Sequence, residues 1–135
     1  MGEIGKVTVG NVKHGIEGGI YIGRKNRGYN LQQSPLANPN PIDVKTASPQ
    51  QIATNLAQYK RLIWQSIQAQ AGAPYIKLCK LRDRLLRGED LLLLCWCKES
   101  GSEPCHGEIV KAALEWMCLQ SFFEAALYLE ELEYK

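Results

Sequence analysis

The sequence predicts an α/β fold: a small, mainly parallel sheet that includes an N-terminal hairpin and is flanked by helices. Three observations carry that expectation. Residues 6–12 (KVTVGNV) and 19–24 (GIYIGR) are short β-rich runs separated by turn residues. Residues 91–97 (LLLLCWC) are apolar without alternation, the pattern of a strand covered on both faces. The stretches between and after these runs repeat their apolar residues at helical spacing.

With 135 residues, 45% of them hydrophobic, the chain is expected to form a single domain, residues 1–135, around a substantial core. The formal charge of +2 gives no direct argument for nucleic acid. Its distribution is uneven. The first 61 residues hold eight basic and three acidic side chains, whereas the chain ends on the acidic stretch FFEAALYLEELEYK. A basic N-terminal half suits an anionic ligand, and solvated surface charge is the plainer alternative. The N-terminal residues lack the apolar core of a signal peptide, and no run reaches membrane-spanning length. Five cysteines without a secretion signal read as reduced thiols or ligands. The expectation is a soluble cytoplasmic protein that makes no membrane contact.

Taken in order, the first two β runs form the hairpin, with Gly18 and Gly19 supplying backbone freedom near the turn. From Lys25 to Pro49 periodicity disappears, and the stretch holds four prolines, four asparagines and one glycine. A loop of this length is either functional or simply irregular surface. Binding groups stud it: Arg24 and Arg27 as forked donors, then Tyr29, Ser34 and Asn38. Ser48, Pro49 and Gln51 next spell the N-cap, first-turn proline and capping box of a helix. Its apolar stripe runs through Ile52, Leu56, Tyr59, Ile63 and Ile67, and Gly72 and Pro74 end it. A shorter helix spans about 75–87 and stops at Gly88, with its lysines and arginines as a solvated face. Cys79 on this helix reads as a small buried hydrophobe. The final stretch, from about Gly107 to Leu132, is one long helix or two. Ser121 and Glu124 would cap the second if the break falls near Gln120, giving an additional C-terminal helix over about 121–134.

The candidate chemistry gathers in residues 88–110, GEDLLLLCWCKESGSEPCHGEIV. In an extended strand Cys95 and Cys97 share a face while Trp96 points the other way. Cys105 and His106 follow after seven residues, at the expected N-terminus of the last helix. Open α/β sheets bind ligands beyond the carboxyl ends of their strands, and helix N-termini favour anions. Three readings compete for this cluster. Cys95, Cys97, Cys105 and His106 match a Cys3His zinc set, the alternative that would make zinc the cofactor. Cys105 suits a helix-start thiolate nucleophile, with Cys97 or His106 as its assisting base or acid. The third reading has them line a pocket without covalent chemistry. For Cys95 alone, burial in the core is the favoured role.

Four ordered motifs, YIGR (21–24), SPLANP (34–39), LRGEDLLLLCWC (86–97) and PCHGEIV (104–110), resemble the domain of unknown function 4326 family, common in phages and bacterial genomes. The resemblance runs from about residue 7 to about residue 115, and leaves the C-terminal helix outside it. It carries over Tyr21, Gly23, Arg24, Ser34, Asn38, Pro39, Cys95, Trp96, Cys97, Cys105 and His106. The chain departs from the family pattern at Ala37, where glycine is usual, and at Asn40, where an aromatic is usual.

Together these readings lead to an expected pocket in which the Arg24–Asn38 loop lies over the Cys97–His106 loop. Tyr21, Arg24, Ser34 and Asn38 would bind the ligand, Arg24 making forked contacts to an anionic group. Cys105, His106 and Cys97 are the catalytic candidates. The expected ligand is a phosphate-bearing nucleotide- or nucleoside-like small molecule, with hydrolase or transferase activity at the Cys/His site. The alternatives are a non-catalytic protein that sequesters its ligand, or a zinc-stabilised module that takes a protein partner.

Overall fold

The computed structural model describes residues 3–15, 17–40, 46–95 and 105–133. Strand β1 (Val7–Asn11) leads through a 3-10 turn (Val12–His14) to the short strand β2 (Ile20–Tyr21). Helices α1 (Pro49–Ala69) and α2 (Ala73–Leu86) come next, then β3 (Leu91–Cys95) and α3 (His106–Glu133). The three strands make one parallel sheet in the order β1-β3-β2. This is the small parallel sheet of an α/β fold.

The apolar run LLLLC takes the central position because only there are both of its faces and both of its edges covered. Leu91, Leu93 and Cys95 belong to the main core, together with residues of all three helices. Leu94 points to the other face and is still only 2% exposed. Gly19 lies so close to it that a Cβ there would stand 2.3 Å from Leu94 Cδ1.

The expected N-terminal hairpin is corrected by this topology. β1 and β2 are not neighbours; each pairs parallel with β3, which lies between them. The registers show why a short connection suffices. β1 leaves the sheet opposite Cys95, and β2 enters opposite Leu93. The chain therefore drops back by only two residues of strand, a rise of about 6.6 Å. Gly18, at φ 74°, lies in that connection.

The helices follow the local signals. Ser48 Oγ accepts the Gln51 N–H at 3.1 Å, and Gln51 Oε1 accepts the Ser48 N–H at 2.8 Å, closing the capping box. Tyr59, Ile63 and Ile67 form the buried stripe of α1. Pro74 stands in the first turn of α2, so that helix begins at Ala73, slightly earlier than expected. Gly88, at φ 92°, then turns the chain into β3.

α3 is one continuous helix, with no break near Gln120 and therefore no separate helix from Ser121. Ser121 Oγ donates to the Met117 carbonyl at 3.1 Å, a bond back along the same helix that replaces the capping role. The first half of α3 buries Val110, Ala113, Leu114, Met117 and Cys118. Beyond these, Leu119, Phe122, Phe123 and Leu127 stand more than half exposed. Among the described residues, no helix is long and apolar enough to cross a membrane.

Candidate functional site at the carboxyl edge of the sheet

The carboxyl ends of β1, β2 and β3 and the start of α3 meet at one edge. β3 ends at Cys95, and α3 begins at His106, directly after Cys105. The Cys95 and Cys105 sulfurs lie 2.7 Å apart, and both side chains are buried. Cys105 Sγ also accepts the Gly107 N–H at 3.2 Å, one of the free donors of the helix start. Gly107 has to be small: a Cβ would stand 2.7 Å from Val9 Cγ1 on β1.

His106 crosses to β2. Its Nε2 lies 3.0 Å from the Ile22 carbonyl. A carbonyl only accepts, so Nε2 carries the proton and donates. The ring also meets Tyr59 of α1 edge to face, with centroids 5.2 Å apart. Tyr59 in turn donates its hydroxyl to the Leu36 carbonyl at 2.6 Å.

Three successive carbonyls just past β2 are thus each engaged. Ile22 accepts from His106, Gly23 accepts the Ser34 N–H at 3.0 Å, and Arg24 accepts the Tyr21 hydroxyl. The sequence-predicted residues Tyr21, Arg24, Ser34, Cys105 and His106 are therefore brought to the same edge. Arg24 presents an exposed side chain from this fixed backbone.

Ser34 and Asn38 also hold the loop itself. Ser34 is buried, and its Oγ accepts the Leu36 N–H at 3.0 Å, turning the loop so that Leu36 enters the core. Asn38 donates to Asn55 Oδ1 at 2.8 Å and accepts the Asn40 N–H at 3.0 Å. Asn55 completes the triangle by donating to the Asn40 carbonyl at 2.6 Å. The loop is held upstream as well, where Asn26 and Leu31 pair in antiparallel fashion and Lys25 N–H donates to Gln33 Oε1. Residues 25–40 accordingly have a defined course.

Cys97 and Trp96 lie outside the described residues, as do 98–104. Among the described residues, no group of three or more His, Cys, Asp and Glu side chains is placed to hold a metal ion. The expected set for zinc includes Cys97.

A cleft of about 480 Å³ opens beside the loop, lined by Gln33, Ser34, Pro35, Ala37, Pro39, Leu62, Ala73 and Pro74. Its walls are mostly apolar and include neither Arg24 nor the Cys95–His106 cluster. Two titrating groups on α2 and α3 are shifted upward. Hydrogen bonding to Cys79, with burial second, raises the Tyr75 hydroxyl, and burial raises the Cys118 thiol.

Two residues of the site escaped sequence reasoning. Tyr59 read as one more member of an apolar stripe; its only signal was a hydroxyl in an otherwise aliphatic series. Asn11, buried at the end of β1, accepts the Lys13 N–H at 2.8 Å through Oδ1 and caps the 3-10 turn. A polar residue closing a β run just before a turn was the available sign.

A family model described as a domain of unknown function (DUF4326) matches residues 8–116. Comparison with curated proteins and with solved structures gives no match.

Proposed function

The chain belongs to the domain of unknown function 4326 family, and on that premise we propose that it binds a phosphate-bearing nucleotide- or nucleoside-like small molecule at the carboxyl edge of its sheet. One observation carries this reading: the hydrogen bond from His106, the first residue of α3, to the carbonyl of Ile22. It sets a helix N-terminus beside the strand end that presents Arg24 two residues later. A helix start offers the positive end of its dipole, and a guanidinium offers a charged fork. Together at the carboxyl edge of a parallel sheet, these are groups that favour an anion over a neutral ligand.

The protein acts as a binder in this reading, with a cytoplasmic location in keeping with described cysteines that are not joined in disulfides. Cys105 is 3% exposed, with its sulfur against Cys95, which favours capture of the ligand over attack on it. The catalytic version, with Cys105 as nucleophile and His106 or Cys97 assisting, requires turnover that is lost in Cys105→Ser while affinity remains.

Calorimetric titration with a panel of nucleoside mono-, di- and triphosphates tests the proposal. Wild type binds at least one of them, and Arg24→Ala weakens that binding about tenfold or more, as expected for a charge-assisted contact. An Arg24→Ala protein that binds every member of the panel as wild type does, or a wild type that binds none, removes the reading.

A further inference from the structure

We propose that Cys95 and Cys105 form a redox-active dithiol which a small hydroperoxide converts to a disulfide. This inference is independent of the nucleotide reading. It rests on how two sulfurs ten residues apart in sequence are held.

Cys95 is the last residue of β3, in register with Asn11, and Cys105 immediately precedes α3. Neither is in a disulfide, their side chains are 0% and 3% exposed, and their sulfurs lie 2.7 Å apart. A bonded pair lies at about 2.05 Å, so joining them asks for little movement of either element.

The two sulfurs have unequal surroundings. Cys105 Sγ accepts an N–H from Gly107 at the positive end of α3, which favours negative charge on that sulfur. Cys95 Sγ faces the Gly10 carbonyl at 3.8 Å, an acceptor that favours keeping the proton on Cys95. Cys105 is therefore the attacking sulfur and Cys95 the resolving one.

The chemistry balances in two steps. The Cys105 thiolate attacks one oxygen of the hydroperoxide, and the O–O bond breaks. Cys105 becomes a sulfenic acid, and the leaving oxygen takes up a proton as water or an alcohol. The Cys95 sulfur then attacks the sulfenic sulfur, the S–O bond breaks, and the oxygen leaves as water with the Cys95 proton. Two thiols are oxidised to one disulfide while the peroxide is reduced. Burial of both sulfurs selects a small oxidant over a bulky disulfide. A dithiol reductant returns the pair to its starting state.

The product would clamp the end of β3 to the start of α3, beside the His106–Ile22 bond. Oxidation would thus stiffen the carboxyl edge of the sheet.

Tryptic mapping decides the matter, because Cys97 is the competing partner in sequence. Cleavage after Arg87, Lys98 and Lys111 puts Cys95 and Cys97 on one peptide and Cys105 on the next. Wild type and Cys97→Ala are treated with hydrogen peroxide, alkylated, and digested without reductant. The expected result in both is a cross-linked pair of peptides, lighter than their sum by two hydrogens and separated by dithiothreitol. The oxidised Cys97→Ala protein should also melt about 5–10 °C above its reduced form. Cys95→Ser should accumulate a sulfenic acid at Cys105 that dimedone traps. Absence of the cross-link from Cys97→Ala, whether or not wild type forms one, overturns the proposal. That readout stands even if Cys95→Ser fails to fold.

Discussion

The rings of Tyr59 and His106 meet edge to face, 90° apart in plane, and each ring hydrogen-bonds a different backbone carbonyl. Tyr59 reaches Leu36 in the long loop, and His106 reaches Ile22 beyond β2. One aromatic contact therefore joins α1, α3, the loop and the sheet edge.

Removing the Tyr59 hydroxyl isolates one part of that junction. Tyr59→Phe keeps the ring and its contact with His106, but leaves the buried Leu36 carbonyl without its donor. The loss should be about 1–3 kcal/mol of unfolding free energy, measured by urea denaturation. A change below about 0.5 kcal/mol would mean that the loop is not held by this bond.

Gly107 sets two effects against each other. Alanine in a helix is favoured over glycine by about 1 kcal/mol. The added Cβ would stand 2.7 Å from Val9 Cγ1, and overpacking of this kind costs about 1–3 kcal/mol. Propensity counts for least in the first turn, and Val9 is a stiff β-branched residue of β1. Gly107→Ala should therefore lose about 1–2 kcal/mol net. Its melting temperature relative to wild type checks the sign, and a rise would show that β1 gives way easily.

The outer half of α3 leads to a prediction about association. Trp116, Leu119, Phe122, Phe123 and Leu127 are 43–60% exposed and recur three and four residues apart. Large apolar side chains exposed at this spacing are uncommon on a monomer and would suit an interaction surface. Sedimentation velocity over a hundredfold concentration range should show wild type self-associating. Leu119→Gln with Phe123→Gln should remain monomeric with unchanged helix content. A wild type that stays monomeric throughout would leave the face without a self-partner.

Much of the fold was legible because local signals and burial pointed the same way. LLLLC is too apolar to face water on either side, so it takes the centre of the sheet. Ser48, Pro49 and Gln51 start α1 where their capping chemistry requires. The hairpin was not legible, because β runs adjacent in sequence look alike whether they pair with each other or flank a third. Only the registers opposite Leu93 and Cys95 distinguish the two. At the site, Ser34 and Asn38 stood out as polar loop residues, but their bonds within the loop did not. A polar side chain in a loop reads the same whether or not it also holds its own backbone. Tyr59 was hidden for the converse reason, since its apolar ring dominated the pattern and its hydroxyl did not.

The strand order has a consequence for how the chain is made. As synthesis proceeds from the N-terminus, β1 and β2 emerge first, yet neither is the other's partner. Both must wait for Leu91–Cys95, about 80 residues after β1, before a single rung of the sheet can close. Until then α1 and α2 can form from local contacts, while the two early strands keep open edges. Sheet closure is thus a late, long-range event, and the nascent protein is most exposed to strand-mediated aggregation before β3 leaves the ribosome.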